Sequence, residues 1–329
     1  MLFNPNQDQF MKIRSVLLLL LLVSFYRVTA QTYPDAYFPD DTPRVFAPGI
    51  LSDGLSNRDF TISPSGDEIF FTIQQRGFLS STIIRLVKIN GKWGKPEVAP
   101  FSGVYRDLEA TFTADGKTIF FSSDRPVTAN TPKQDFDIWK VSQTSPGNWG
   151  TPVNLGSTVN SDKNEFYPSV AKNGNLYFTV EAAYGKGSED IVLCKYSAAG
   201  YSAPVSLPED INTKFDEFNA FIDPDEQFIL FSSYGRSNDI GGGDLYLSRK
   251  DKQGNWLPSH HLPVPLNSGS LDYCPYVTAD KKYLFFTSNR PLKLPATGRP
   301  VTYNELTKLL SGAGNGVDDI YWVRFDLDW

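Results

Sequence analysis

Acidic residues recur at one fixed spacing, and they are the first side chains in this sequence that could do chemistry. They stand nine positions before a turn marker in four similar segments, as Asp107, Glu165, Glu217 and Asp272, and Asn57 takes that place in an earlier segment. Paired carboxylates about 5–10 Å apart around a sugar could hydrolyse a glycosidic bond. A residue that returns once per repeat can also hold backbone amides or an arginine. The spacing leaves both roles open and favours the structural one.

Arginines recur in the same segments. Arg125, Arg236 and Arg290 each follow an aromatic strand, in segments that also carry the aspartates Asp137, Asp244 and Asp319. The third segment lacks the arginine, and the first has Arg76 without the aspartate. Because the planar guanidinium holds a carboxylate in fixed geometry, we expect Arg–carboxylate struts. Binding of an anionic ligand is the alternative.

Metal-ligating and nucleophilic side chains are scarce. His260 and His261 are the only histidines, and neighbours in a strand point to opposite faces, so they cannot readily share one metal. The sequence contains neither a phosphate-binding Gly-Lys loop nor a nucleophile elbow. Cys194 and Cys274 lie in strand-like runs, where cysteine is usually a small buried apolar residue. We therefore expect no metal, no cofactor and no catalytic residues.

One pattern of strands returns five times and predicts the fold. A short strand, a tight turn and a strongly aromatic strand begin at Phe60, Ala110, Pro168, Ala220 and Pro275, at periods of 50, 58, 52 and 55 residues. This period suits units of four short strands. The aromatic strands are continuous, as expected where neighbouring sheets cover both faces. The sequence predicts an all-β fold, a five-bladed β-propeller of four-stranded antiparallel blades.

The last repeat ends at Trp329 without its outer segment, and a counterpart stands at the other end of the chain. Residues 42–57 resemble residues 151–165 in length and character. We expect this N-terminal segment to pair with the strand near Asp319–Asp326 and to close the ring. Closure removes exposed sheet edges, which otherwise invite aggregation.

The connections between strands differ sharply in length. Turns after the first and third strands are short, whereas connections between second and third strands span 123–134, 181–189, 234–243 and 289–317. These long loops share a face with the blade-to-blade connections, and we name it the long-loop face. Binding residues commonly lie on loops held by a rigid frame. The candidate ligand- or partner-binding residues near this face are Asp107, Glu165, Glu217, Asp272, Arg125, Arg236, Arg290 and Tyr303.

The longest loop contains a helix signal. Thr302 and Glu305 fit a capping box, and Leu306, Leu309 and Leu310 supply one apolar side. A lid over the channel mouth and a helix packed on the rim are both consistent with this pattern. The non-repeated residues 291–316 would then give the face its individuality.

The N-terminal residues and the net charge indicate where the protein is located and which partners it can bind. Lys12 and Arg14 precede an apolar run over residues 16–25, followed by Val28-Thr29-Ala30. This order predicts a signal peptide over residues 1–30, with Met11 as a possible true start. Residues 31–329 then form a single, monomeric propeller domain without a transmembrane span, periplasmic or secreted. The net charge of -6 argues against nucleic acid as a partner.

The motifs also carry a family resemblance. The Asp/Ser-Gly turn, the aromatic strand ending Ser-Ser-Asp-Arg or Thr-Ser-Asn-Arg, and the Asp-Ile-Tyr/Trp strand together resemble TolB-type, WD40-like propeller repeats. The Trp-x-x-Pro segment, with Asn-Leu and Asn-Ser before an acidic residue, is similar to copies in cell-envelope proteins of the Bacteroidetes. The resemblance covers nearly all of residues 40–329. It implies binding or assembly and no shared catalytic residues.

Two functional hypotheses remain. The first is a non-catalytic binding or scaffold protein of the bacterial cell envelope that engages a protein or a polysaccharide/peptidoglycan-type polymer. The alternative is a carbohydrate-active enzyme, a glycoside hydrolase or lyase, with carboxylates at the channel mouth; it rests on fold analogy. Equivalent acids all bonded to backbone or arginine would favour the first hypothesis. Two non-equivalent acids in one pocket would favour the second.

Overall fold

The computed structural model describes residues 33–128, 133, 135–181, 185–291 and 298–326, and these form the predicted five-bladed propeller. Each blade is an antiparallel sheet whose strands run outward from the channel in chain order, except that the outermost strand of the last blade comes from the N-terminal end of the propeller. The strands of the first two blades are β2 (Asn57–Ile62), β3 (Glu68–Gln74), β4 (Ser81–Ile89), β5 (Lys92–Trp93) and β6 (Glu97–Val98), then β7 (Asp107–Phe112), β8 (Thr118–Ser123), β9 (Asp137–Ser145), β10 (Asn148–Trp149) and β11 (Val153–Asn154).

The other three blades repeat this order. Their strands are β12 (Glu165–Val170), β13 (Leu176–Val180), β14 (Asp190–Cys194), β15 (Tyr196–Ser197), β16 (Gly200–Tyr201) and β17 (Val205–Ser206), then β18 (Asp216–Ile222), β19 (Phe228–Tyr234), β20 (Asp244–Arg249) and β21 (His260–His261), and finally β22 (Asp272–Val277), β23 (Tyr283–Ser288) and β24 (Asp319–Arg324). The fourth strand of the last blade is β1 (Arg44–Val45), from the other end of the chain.

The predicted ring closure is confirmed. β1 pairs antiparallel with β24, with Arg44 opposite Trp322 and Val45 opposite Tyr321. Phe46 packs edge-on against Trp322, with ring centroids 5.0 Å apart. The N-terminal segment therefore contributes both a hydrogen-bonded edge and apolar packing to the last blade.

The hydrophobic core lies between neighbouring blades. Between the last and the first blade, the rings of Phe60 and Phe285 stack with centroids 4.0 Å apart. Corresponding clusters fill the other inter-blade spaces, and β3, β8, β13, β19 and β23 are almost wholly buried. Each second strand is covered on both faces, which accounts for its continuous aromatic sequence.

Every innermost strand carries a bulge at the same position. The pairing of the first and second strands shifts register there in all five blades. The residue inside each shift has a positive φ, between 49° and 63°, although none is glycine: Asp59, Glu109, Tyr167, Asn219 and Cys274. Such dihedrals are uncommon for residues with a Cβ, and a bulge re-aims side chains away from the regular alternation.

The predicted helix is present as α1 (Tyr303–Leu310). Thr302 accepts a hydrogen bond from the Glu305 amide, and the Glu305 carboxylate accepts one from the Thr302 amide, which completes the capping box. No residue of α1 is buried. Across the described part of the chain, no helix is both long and apolar enough to cross a membrane. The predicted signal peptide, residues 1–30, lies outside the described residues.

Candidate functional site

The recurring acids and arginines form ion pairs inside three blades. Asp107, Glu217 and Asp272 are fully buried. Arg125 donates to Asp107 at 2.6 Å, Arg236 to Glu217 at 2.9 Å, and Arg290 to Asp272 at 2.5 Å. Each arginine also donates to a backbone carbonyl of the incoming connection, that of Phe101, Ile211 or Leu266. These struts tie the innermost strand to a long loop and to the preceding blade.

The acids have further internal partners. The Thr213 amide and hydroxyl donate to Glu217, at 2.6 and 2.7 Å, and the Ser268 amide donates to Asp272 at 2.7 Å. Ser102 and Ser123 hydroxyls donate to Asp107. Burial raises the pKa of Asp107, and the Arg125 guanidinium opposes that rise. These carboxylates are therefore already bound within the fold.

The third-strand aspartates pair elsewhere. Asp244 accepts from the Ile240 amide at 2.7 Å and lies 2.7 Å from His261 Nε2. Asp137 is paired with Lys133 and Asn154. In the three blades that carry it, the arginine after the aromatic strand therefore reaches the recurring acid of the innermost strand, and not the aspartate of the third strand.

The blade without an arginine leaves its acid less compensated. Glu165 accepts from the Ser161 amide at 3.0 Å and from the Ser161 hydroxyl, while its Oε2 has no hydrogen-bond partner among the described residues. Burial raises the pKa of Glu165 to about 8, and the hydrogen bonds from Ser161 oppose the rise. Glu165 is a buried acid that forms no ion pair with the residues the structure describes, in contrast to its three equivalents.

A pocket of about 310 Å³ opens where the innermost strands begin. Its wall contains the residue that follows the recurring position in each blade, namely Arg58, Leu108, Phe166, Phe218 and Tyr273. Residues from long loops and blade connections complete it, including Phe78, Glu189, Gly242 and Leu271. We call this the central pocket. It lies on the long-loop face, as the predicted binding region does.

The floor of the central pocket is a charged network around Arg58. The buried guanidinium donates to Asp59 at 2.7 Å, to Glu109 at 2.7 Å and to Gln74 at 3.0 Å, and it lies over the Tyr273 ring at 4.9 Å. These carboxylates raise the pKa of Arg58 well above its ordinary value against the opposing effect of burial. Arg58 is therefore held as a cation.

Glu109 is the hub of this floor. Its Oε1 accepts from Arg58 and from Asn219 at 3.2 Å, and its Oε2 accepts from the Tyr167 amide at 2.7 Å. Burial raises the pKa of Glu109 to about 7, and Arg58 opposes that rise. Glu109 also lines a second cavity of about 10 Å³ deeper along the innermost strands, with Asp59 and Tyr167. The floor thus separates two spaces within the channel.

Two further carboxylates stand in the wall. Glu189 and Asp216 both line the central pocket. Asp216 accepts one hydrogen bond, from the Ser188 amide at 3.1 Å. Burial raises the pKa of Glu189 to about 7, and the carboxylates of Glu181, Asp216 and Glu109 add to that rise. Within the described ranges, Glu189 accepts no hydrogen bond and forms no ion pair through its carboxylate.

The residues predicted as binding candidates do not line the central pocket. The three Arg–carboxylate pairs and Glu165 lie within the blades, and Tyr303 is 79% exposed on α1. Sequence reasoning missed the pocket residues, five of which directly follow the recurring position. A signal did exist: the recurring position is nearly uniform, whereas the next position holds four residue types in five repeats and the position after it holds five. Variation beside a uniform position marks the residues that the repeat itself does not require.

Within the part of the chain that the structure describes, no group of three or more His, Cys, Asp and Glu side chains is arranged to hold a metal ion. His261 contacts Asp244 and Asn267 in an outer region of its blade. Cys194 and Cys274 are buried free thiols. Cys274 belongs to the floor, where its thiol donates to Asp59 at 2.9 Å.

No protein-family model matches the chain, and no curated protein matches it. Its fold is similar to solved β-propeller proteins. A GH43_12 structure from a capybara gut metagenome has TM-score 0.51 at 13% identity, covering 90% of this chain and 55% of that one. A complex of BT0996 with RGII has TM-score 0.52 at 8% identity, covering 87% and 88%. TolB from Acinetobacter baumannii has TM-score 0.46 at 11% identity, covering 83% and 55%. The chain spans about half the length of the TolB and GH43_12 proteins, and these likenesses show a shared fold only.

Proposed function

We propose that this protein is an exported, non-catalytic binding protein of the bacterial cell envelope, and that part of its partner enters the central pocket. The observation that carries the proposal is the contrast between neighbouring positions of the repeat. Three of the recurring acids are bound in arginine struts and Glu165 accepts from Ser161, while the positions beside them present four different kinds of side chain to one pocket. A concave site with apolar walls and a few convergent polar groups is the usual form of a ligand site.

The sequence supports the cellular setting of this proposal. The ordered charged, apolar and small-residue regions before Gln31 favour export. The motif resemblance to TolB-type repeats of the Bacteroidetes envelope favours binding or assembly over catalysis. Since every recurring acid is bonded to backbone groups, hydroxyls or an arginine, the repeat itself supplies no catalytic pair. The partner is then an envelope protein or an envelope polymer.

A carbohydrate-active enzyme is the second candidate, and one observation favours it. Glu109 and Glu189 are non-equivalent acids that line one pocket, and the pKa of each is raised to about 7. A carboxyl that is protonated near neutral pH can serve as a general acid. Hydrolysis would also require the second acid to stand at a defined separation across the scissile bond.

A pocket-filling variant tests the binding proposal. Gly242 lines the central pocket, and a Cβ there would meet Leu271 at 3.7 Å, an ordinary contact. Gly242→Phe should therefore fold normally and obstruct the pocket. Gly269→Phe is the matched control, because Gly269 is exposed on a blade connection of the same face and a Cβ there meets only the Ile240 carbonyl, at 4.0 Å.

The assay is capture of envelope components by immobilised protein, scored against the same extract for each variant. We expect Gly242→Phe to lose the species that wild type and Gly269→Phe both retain. Retention by Gly242→Phe would show that the central pocket is not the binding site. New reducing ends from envelope polysaccharide, lost in Glu109→Gln and Glu189→Gln, would instead establish the enzyme.

A further inference from the structure

The central pocket carries more carboxylates than cationic groups, and this excess indicates which kind of ligand the proposed binding site takes. Arg58 is the cation of the pocket lining, and two floor carboxylates, Asp59 and Glu109, already bind it. Asp59 is 2% exposed, yet its Oδ2 has no hydrogen-bond partner among the described residues. The floor alone therefore carries one more carboxylate than guanidinium.

The wall adds to this excess of negative charge. Glu189 and Asp216 have no cationic partner within the described residues. Withdrawing carboxylates from water without a cation is unfavourable. The raised pKa of Glu189, about 7, reflects this cost: burial and the carboxylates of Glu181, Asp216 and Glu109 raise it, and the opposing effect of Arg58 is too small to offset them. A cation entering the pocket would relieve it.

Much of the remaining wall is aromatic, and the rest is aliphatic or small and polar. Phe166, Phe218 and Tyr273 come from three different blades, and Phe78 and Tyr234 stand at the rim. Aromatic faces attract ammonium and guanidinium groups by cation–π interaction. The fold already contains one example in this pocket, the Arg58 guanidinium at 4.9 Å from the Tyr273 ring centroid. Aromatic walls and uncompensated carboxylates favour the same kind of ligand.

The volume indicates one unit of a larger partner. About 310 Å³ lies at the small end of the range of about 300–1,000 Å³ for small-molecule sites. A single side chain or a single sugar ring suits that space. We propose that the central pocket binds an organic cation, a primary ammonium or guanidinium group, against Glu189 and Asp216 and between the aromatic walls. An anionic or purely neutral unit is disfavoured by the same charges.

Defined small probes test the inference. Nα-acetyl-lysine methylamide, Nα-acetyl-arginine methylamide and glucosamine carry the cation, and Nα-acetyl-norleucine methylamide and N-acetylglucosamine are their neutral counterparts. Binding to the full chain is measured by NMR titration at pH 7.5 and low salt, where Glu189 is mostly ionised and the glucosamine amine, with a pKa of about 7.7–8.0 like that of an α-amino group, is still largely protonated. We expect at least one cation to bind about tenfold or more tightly than its neutral counterpart, a difference of about 1.4 kcal/mol. Lysine or arginine binding would identify a protein as the source of the cation, and glucosamine binding would identify an amino-sugar polymer.

Glu189→Gln removes the charge while keeping the shape of the side chain, and we expect it to weaken cation binding about tenfold or more. The matched control is Glu97→Gln on the exposed outer strand β6, which should bind as wild type does. Equal binding of cationic and neutral probes, or no binding of any cation, would overturn the inference, as would full affinity in Glu189→Gln. The inference rests on the proposed pocket function, and Gly242→Phe distinguishes the failure of one from the failure of the other. If Gly242→Phe loses envelope capture but wild type binds none of the cations, the pocket function stands and only the cation inference fails.

Discussion

Neutralising Glu189 should stabilise the protein in a pH-dependent manner. Folding raises the pKa of this carboxyl from an ordinary 4.5 to about 7, so the folded state prefers its protonated form. The stability cost is therefore absent below pH 4.5, grows as the pH rises from 4.5 to about 7, and is complete above that. The Glu189→Gln variant carries no charge at this position at any pH, and it should therefore not lose this stability.

The magnitude follows from the size of the change. A pKa that moves from 4.5 to about 7 corresponds to about 3 kcal/mol at about 1.4 kcal/mol per pKa unit. Glu189 is half-buried, and solvent screening reduces the expected gain to about 1–2 kcal/mol. For a domain of this size that gain raises Tm by about 2–4 °C. Thermal unfolding at pH 8 and at pH 4 measures it, with Glu97→Gln as the control.

This outcome separates a functional acid from a structural one. A functional carboxylate in a binding pocket costs stability, and its removal stabilises the fold while weakening the ligand. We expect Glu189→Gln to melt higher than wild type at pH 8 and at the same temperature at pH 4. An unchanged or lower Tm at pH 8, or an equal gain at both pH values, would refute the account of Glu189 as an uncompensated charge.

Four further outcomes are expected. Glu109→Ala should destabilise the fold by about 3 kcal/mol or more in urea unfolding, because it leaves the buried Arg58 guanidinium, the Asn219 side-chain amide and the Tyr167 backbone amide without their shared acceptor; wild-type stability would contradict the hub role. Glu217→Gln should lower the free energy of unfolding by about 3 kcal/mol, because it breaks the ion pair with Arg236. Glu165→Gln should change the free energy of unfolding little near pH 8, since no arginine is paired with Glu165. A larger loss of stability in Glu165→Gln than in Glu217→Gln would refute the stabilising role of the Arg–carboxylate struts. Tyr303→Ala should reduce envelope capture about fivefold at unchanged Tm if α1 touches the partner, while Tyr196→Ala on the opposite face should not; equal effects would exclude α1. Deleting residues 33–57 should expose the edge of β24 and cause aggregation, measured by light scattering, and a soluble product would refute closure as the source of edge protection.

The architecture could be predicted from the sequence because the same pattern of strands and turns occurs in each of the five repeats. Five turn markers, five aromatic strands and one displaced outer segment leave little freedom, and the pairing of β1 with β24 followed from counting. Arg–carboxylate struts were also predictable as a type. Their exact pairing was not, because every arginine-bearing blade offers two acids, and only the folded loop brings Arg125 to Asp107 and not to Asp137.

The central pocket could not be predicted from strand periodicity. Regular alternation fixes which face a side chain occupies, but a bulge interrupts it. Asp59, Glu109 and Asn219 lie at the channel floor, and each adopts a positive φ within the bulge of its strand. Glycine is the usual residue at a positive φ, and no glycine marks these positions in the sequence. Glu189 comes from a loop after a Gly/Ser-rich run, whose course no repeat constrains. The chemistry of the site thus comes from the positions that depart from the repeat.

The pairing of β1 with β24 also sets the order in which the molecule can assemble. Val45 meets Tyr321 only after four intervening blades have brought the two strands together. Contacts so distant in sequence carry the largest loop-closure entropy and form late in folding. Until then Phe46, which is fully buried in the finished ring, lacks its contacts with Phe285 and Trp322, and the last blade presents an unpaired edge. The period during which the chain is exposed to misassociation therefore lasts until its first strand and its last strand meet.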